Sequence, residues 1–289
     1  MMRRCPVCTV ELSRPQWSCD TCGWRAEVAD GIPVLAPAAE AAGGGFDPAQ
    51  FQVLFDLEAG NFWFRARNAL IVWAMAKYFP HARSMLELGC GTGFVSHAIE
   101  ENFPDVALVA SELFSSGAAL AKRRLRNAEV VQMDGRNIPF EGEFDVAGAF
   151  DVIEHLAEDE TVLGQLHRSL RPGGGLLVTV PQHQWLWSNL DAFSHHQRRY
   201  VKSELVRKVR HAGFSVLRCT SFMTLLLPAM LASRLRLRNA PVDDPSAEFR
   251  ISRWANAALG LAMGIERAAI RAGLPLPLGG SLLMVAQRT

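Results

Sequence analysis

The chain has little that would tie it to a membrane interior, to export or to a polyanion. Its longest apolar run, Phe222–Ala232, holds 11 residues with a threonine and a proline inside, where a membrane span needs about 20. The opening MMRRCPVC lacks the apolar core of a secretory leader, so a cytoplasmic, reducing setting is expected. Thirty Lys+Arg face 29 Asp+Glu, a net charge of +1. That balance disfavours a broad electrostatic grip on nucleic acid. The clusters Arg123, Arg124, Arg126 and Arg207, Lys208, Arg210 read instead as solvated helix faces. Internal repeats and long low-complexity tracts are also missing.

What is present is a globular chain of 289 residues, 49% hydrophobic and 20% charged, ample for a sizeable core. Four of its 6 cysteines fall in the first 22 residues. Cys5-Pro-Val-Cys8 and Cys19-Asp-Thr-Cys22 are two C-x2-C knuckles ten residues apart, the spacing that aims four thiolates at one structural Zn²⁺. A redox C-x-x-C would want a βαβ unit around it, and none is evident. Some 35 residues build little core alone, so a metal staple suits their stability. Residues 1–36 therefore read as a ribbon module, 37–46 (within APAAEAAGGG and just after) as a flexible linker, and 47–289 as the main domain.

In that domain short apolar stretches alternate with amphipathic ones. Strands are expected at Ser84–Leu88, Val106–Ala110, Glu129–Gln132, Phe144–Ala149, Gly175–Val180, Phe214–Thr220 and Ser281–Gln287. Helices are expected near 66–79, 94–102, 116–126, 157–170 and 202–212. The alternation predicts an α/β fold, a doubly wound and mostly parallel seven-stranded sheet.

The first strand runs into Met85-Leu-Glu-Leu-Gly-Cys-Gly-Thr-Gly93. Glycines allow a sharp turn and close backbone approach, and the helix start that follows offers free amides. The spacing is G-x-G-x-G, not the dinucleotide G-x-G-x-x-G, and no Gly-Lys-Ser/Thr follows. Glu87 would repel a pyrophosphate but accept from an ammonium.

Glu87-x-Gly89-x-Gly91-x-Gly93 resembles motif I of the class I S-adenosylmethionine-dependent methyltransferases, with their Rossmann-like fold. The resemblance implies a loop around the methionine part of the donor, involving Cys90. It implies that Glu112, beside Leu113, holds the ribose hydroxyls. Asp134 with Gly135 would meet the adenine, and Phe150 would line the pocket. Leu170-Arg-Pro-Gly-Gly174 matches the turn before the family's fifth strand. The N-terminal module is similar to zinc ribbons that precede some bacterial methyltransferases, including Gly31-Ile-Pro-Val-Leu35.

Methyl transfer needs the acceptor positioned and deprotonated. Phe150-Asp-Val-Ile-Glu-His155 follows the fourth strand. On a helix starting here, Asp151, Glu154 and His155 would share a face, as a base (His155) or part of a hard-metal site. Ser194-His-His-Gln-Arg-Arg-Tyr200 lies on the loop after the fifth strand, which returns over the ligand-binding end of the sheet. The Glu-His is shared with ubiquinone-biosynthesis O-methyltransferases. The resemblance to small-RNA 2′-O-methyltransferases implies Asp151, Glu154, His155 and His196 around a divalent ion such as Mg²⁺. The Asn/Asp-Pro-Pro-Tyr/Phe segment of DNA amino-methylating relatives is missing, which favours an oxygen acceptor.

Two further stretches bear on the acceptor. Asn61-Phe-Trp-Phe-Arg-Ala-Arg-Asn68 interleaves aromatics with arginines; by resemblance an arginine here, Arg65 or Arg67, meets the donor. Residues 221–280 form a long insertion before the last strand. Ile251, Trp254, Ala258, Leu261, Ile265 and Ala269 recur at helical spacing, with Arg250, Arg253, Arg267 and Arg271 outside, and Arg234, Arg236 and Arg238 precede them. This predicts a helical lid over a small-molecule or lipid-linked acceptor, or a peripheral contact of 222–272 with the inner membrane face. The expected activity is O-methylation; the alternatives are an RNA methyltransferase gripping its substrate with the ribbon, and a donor-binding scaffold without catalysis.

Overall fold

The computed structural model describes residues 3–12, 17–42, 46–237 and 251–289. In chain order the elements are β1 (Glu27–Ala29), β2 (Ile32–Val34), α1 (Pro37–Ala41), α2 (Gln50–Leu57), α3 (Phe62–Tyr78), β3 (Ser84–Leu88), α4 (Phe94–Asn102), β4 (Ala107–Glu112), α5 (Ser115–Arg124), β5 (Glu129–Gln132) and β6 (Phe144–Phe150). There follow a 3₁₀ turn (Ile153–His155), α6 (Asp159–Ser169), β7 (Leu170–Pro181), α7 (Asn189–Phe193), α8 (Lys202–His211), β8 (Phe214–Phe222), α9 (Leu227–Leu237), α10 (Arg253–Arg271) and β9 (Ser281–Arg288).

The sheet runs β1-β2-β5-β4-β3-β6-β7-β9-β8. From β5 through β7 the strands are parallel, and β9 is antiparallel to both β7 and β8. This is a doubly wound, Rossmann-like α/β sheet. Every residue of β3 is buried, as expected of a central parallel strand covered on both faces. Its side chains alternate between layers: Met85 belongs with Ile71 and Ile99 on one side, Leu86 and Leu88 with Leu163 and Leu166 on the other.

Among the described residues the sheet has nine strands, two more than the sequence predicts. The additional pair is the ribbon's hairpin. Val34 of β2 lies parallel to Gln132 of β5, and the Leu35 amide donates to the Gln132 carbonyl at 2.9 Å. A four-residue edge strand leaves main-chain groups unpaired, and β2 covers them. Cys5, Leu12, Trp17 and Cys19 join the same buried layer as Met133 and Phe140. Arg3 pairs with Glu129 and lies over the Trp17 ring at 4.4 Å. The ribbon is thus packed on the main domain.

The expected flexible linker contains α1, whose Pro37 sits in the first turn, where its fixed φ and missing N–H cost nothing. Glu40 accepts from the Ser115 amide at 2.7 Å, at the start of α5. Residues 43–45 of that linker lie outside the described residues, as do Arg238 and Arg250 of the insertion.

Candidate active site

A cavity of about 530 Å³ opens at the carboxyl ends of β3, β4, β5 and β6. The strand order reverses between β3 and β6, and open α/β sheets bind ligands at that point. Its volume falls in the range of small-molecule sites.

The floor is the turn after β3. Gly89 and Gly91 have φ of 66° and 55°, values that disfavour side chains. A Cβ on Gly89 would come within 2.6 Å of Val152, so the turn presses against the chain after β6. The Gly91 amide donates to Glu112 at 2.9 Å, and Glu112 also accepts from the amides of Leu113 (2.8 Å) and Phe114 (3.1 Å). These bonds fix the carboxylate at the cavity wall. Burial nevertheless pushes its pKa up against them. Glu87 is 2% exposed and accepts from Ser96 Oγ. Burial raises its carboxyl to about 7 despite that bond and the charge of Arg67.

Cys90, Leu113, Asp134, Gly135 and Phe150 line the same cavity. Asp134 accepts from Arg136 Nε at 3.0 Å. Gly93 does not line it. It caps α4 with φ of 76°, and a Cβ there would meet Ala121 of α5 at 3.1 Å, so its role is helix packing.

Arg65 is also outside the cleft: it is exposed and faces α10 across a separate groove. Arg67 takes the place expected for an arginine. It is 8% exposed, lines the cavity, pairs with Asp151, and stacks over Trp63 at 4.7 Å. Two residues along a helix is a rotation of roughly 200°, so only one of the pair can face in. Asn61 sets the phase, capping α3 by accepting from the Trp63 amide at 2.8 Å.

Asp151, Glu154 and His155 do not share a helix face. Asp151 adopts φ of 58° at the end of β6, and only a 3₁₀ turn follows. Its carboxylate turns to Arg67. Glu154, His155 and His196 do converge, with ligand atoms within 4.8 Å of one another. His155 and His196 line the cavity, their ring centroids 4.6 Å apart. Glu154 lies behind them, fully buried, and both its carboxyl oxygens lack a hydrogen-bond partner among the described residues. Burial, with the Asp151 charge, raises its carboxyl well above the ordinary range.

Asp191 and Arg199 complete this corner. Asp191 Oδ1 lies 2.9 Å from His196 Nδ1 and accepts from Arg199 Nε at 2.7 Å. Burial alone would raise Asp191; the His196 hydrogen bond and the Arg199 charge outweigh it and hold the carboxyl low. His196 is therefore oriented through Nδ1, leaving Nε2 for the cavity. The 194–200 loop is pinned by the Gln197 amide donating to the Glu154 carbonyl at 2.7 Å. The Ser188 and Asp191 spacing, a capping box, is the sequence signal for this fixed carboxylate.

Another group not evident from sequence is Glu58, buried with Arg124 and Thr92. It fastens α2 to the glycine turn. The outer wall comes from α2 and α7, through Phe51, Leu54, Leu190 and Phe193. Among the described residues, none of 221–280 lines the cavity, so the expected lid is supplied by other elements.

At the ribbon, the four cysteine sulfurs lie within 4.8 Å of one another, with Cys5–Cys22 at 3.6 Å and Cys8–Cys19 at 3.5 Å. Tetrahedral Zn–S bonds of about 2.3 Å put sulfurs about 3.8 Å apart. The donor set fits zinc.

Residues 86–178 match a family model described as a methyltransferase domain. A protein of Mycolicibacterium smegmatis named "Probable S-adenosylmethionine-dependent methyltransferase" is 31% identical over 54% of this chain and 60% of its own length. The ubiquinone biosynthesis O-methyltransferase of Pseudomonas aeruginosa is 28% identical over 46% of this chain and 65% of its own. The match thus spans less than two thirds of either relative. Among solved structures, a SAM-dependent methyltransferase of Thermotoga maritima is similar with a TM-score of 0.52 and 17% identity, covering 83% of this chain and 95% of that one. That likeness is one of fold.

Proposed function

We propose that this chain is an S-adenosylmethionine-dependent methyltransferase acting on an oxygen of a small or lipid-linked acceptor. The observation that carries this reading is that one cavity at the strand switch point holds Glu87, the Gly89–Gly91 turn, Glu112 and Asp134 at one end and the His155–His196 pair at the other. The sequence similarity to named methyltransferases supports the same activity.

The donor, when bound, supplies a methyl group already activated on sulfur. This chain's own residues bind and orient. Glu112 would accept from the ribose hydroxyls, Asp134 from the adenine amino group, and Glu87 from the donor ammonium. The apolar wall at Leu54, Leu190 and Phe193 excludes water and suits a hydrophobic acceptor. His196, oriented by Asp191, is the candidate base for the acceptor hydroxyl proton, with His155 holding the same oxygen. The similarity to an O-methyltransferase of ubiquinone biosynthesis supports an oxygen acceptor.

A metal-assisted variant is favoured by one observation, the unpartnered oxygens of buried Glu154 beside two imidazoles. Without Asp151 the set is one carboxylate and two histidines. That donor set suits Zn²⁺, Mn²⁺ or Fe²⁺ better than Mg²⁺, which wants oxygens. At the ribbon we propose a structural Zn²⁺ on Cys5, Cys8, Cys19 and Cys22.

The test is transfer of label from methyl-labelled donor into a host extract split into lipid, small-molecule, RNA and protein fractions. Label in a base-stable methyl ether of the lipid or small-molecule fraction is expected, and label in RNA alone would favour the ribbon-held alternative. His155→Ala should cut turnover by roughly 100-fold or more while calorimetry still detects donor binding. Unchanged turnover removes His155 from the mechanism.

A further inference from the structure

α10 has two unlike faces. Met263, Glu266 and Ile270 are buried against the body of the molecule. The only acid on the helix is Glu266, which accepts from the Met223 and Leu225 amides at 2.5 and 2.9 Å and shows no charge to solvent. On the opposite side Trp254, Ala258, Leu261, Ile265, Ala268 and Ala272 recur at helical spacing and all are exposed. Trp254 is 88% exposed, Leu261 69% and Ile265 60%. An apolar stripe of that kind is rare on a soluble surface without a partner.

The flank of the stripe is basic. Arg253, Arg267 and Arg271 fall on one edge of α10, and Arg65 of α3 shares a groove with Arg267. Arg65 and Arg267 line a groove of about 290 Å³ with Asn256, Gly260, Phe62 and Ala66, and among the described residues no carboxylate shares its wall. Asn256 fixes the groove's end, accepting from the Phe62 amide at 2.7 Å and donating to the Gly60 carbonyl at 2.9 Å. Among the described residues neither Arg65 nor Arg267 has an ion-pair partner. Gly260 adds no side chain to the groove wall between them.

We propose that this face of α10 docks on an anionic phospholipid bilayer, with the apolar stripe in the headgroup–acyl boundary and a lipid phosphate in the Arg65–Arg267 groove. Three features choose lipid over other occupants. Among the described residues of this face the charge is of one sign, although the whole chain carries a net charge of only +1. The helix is 19 residues, about 28 Å long, with an exposed tryptophan at its start, as interfacial helices have. No described helix is long and apolar enough to cross a membrane, so the contact lies flat. α3 joins this face to the cleft, carrying Arg65 on one side and Arg67 on the other. The docking goes beyond the proposed methyl transfer and stands whatever the acceptor is.

The test is flotation of the full chain with phosphatidylcholine vesicles and with vesicles that also contain phosphatidylglycerol. Binding to the second kind alone, weakening as salt is raised, is expected. Arg65→Gln with Arg267→Gln should weaken it roughly 30-fold, about a kcal/mol per arginine. Leu261→Ser with Ile265→Ser should abolish flotation, and brominated lipid should quench Trp254 in the parent but not in Trp254→Phe. All these positions are on the surface, and a circular dichroism melt checks that each variant is folded. Failure to float with either vesicle, or flotation indifferent to these variants, overturns the proposal. So does self-association without lipid that Leu261→Ser removes, which would make the stripe a contact between two copies.

Discussion

A carboxyl that loses water without gaining a cation carries a record of what it lacks. Glu87 is such a group. Facing it are Ser96, which donates a hydrogen bond, Arg67, already paired with Asp151, and the acidic Glu112 and buried thiol of Cys90. Its carboxyl is raised to about 7, by burial first. For the free protein the sign is unfavourable to high pH. The folded state holds this proton where the unfolded state has lost it, so the group's contribution to stability falls as pH climbs from the ordinary carboxyl range to about 7. A cationic donor reverses the preference by favouring the carboxylate. Donor affinity is therefore expected to rise with pH up to about 7 and then level off. Binding below that point should release a proton, visible as a dependence of calorimetric heat on buffer ionisation enthalpy. Glu87→Gln should flatten both. A parent protein with pH-independent donor affinity would show that Glu87 does not face the donor's charge.

At the scale of elements, one side chain ties the insertion to the sheet. Glu266 of α10 takes the amides of Met223 and Leu225 at the end of β8, where Met223 is held at φ of 61°. Glu266→Ala leaves the buried Met223 amide and the part-buried Leu225 amide without an acceptor, at about 1–3 kcal/mol for the first and about 1 kcal/mol for the second. Denaturant unfolding should show a loss of about 2–4 kcal/mol, and a loss below about 0.5 kcal/mol would mean that water replaces the carboxylate there. The same scale separates what is legible in the sequence from what is not. β3 and β5 have the bounds their apolar runs predict, and β6, β8 and β9 differ by a residue or two, because central strands are bounded by turns that punctuate the sequence. β7 starts early, at Leu170, since the Pro-Gly-Gly stretch bulges within the strand rather than ending before it. The pairing of β2 with β5 is not legible, because it depends on which edge lies open after folding. That Glu87, Glu112 and Asp134 share one rim is legible, as strand ends carry them there. Arg65 and Arg67 differ only in helical phase, and that phase is set by the cap at Asn61, which the folded backbone reveals. Asp151 reads as helical because its left-handed backbone leaves no trace in a run of ordinary residues.

For the whole molecule, the four-cysteine module, the linker and the cleft form one mechanical chain. Trp17 packs edge-on to Phe140 at 5.6 Å and reaches Glu129 at 3.3 Å. Gln132, next to the cleft, clamps Ala36 through both ends of its amide and also donates to the Leu113 carbonyl at 2.8 Å. Glu40 then caps the start of α5, directly after the Glu112 segment. Metal at the four cysteines would hold the first link of this chain, so its loss should be felt at the last. Atomic emission is expected to find one zinc per chain, absent in Cys19→Ser. In that variant, or after chelation, Trp17 should gain water contact and the tryptophan emission should shift to the red. Donor affinity should fall by about 1 kcal/mol, the worth of one helix cap, without global unfolding, because the strands of the main domain keep their own core. Zinc loss with unchanged donor affinity would uncouple the ribbon from the cleft and leave it a role in presenting the acceptor alone.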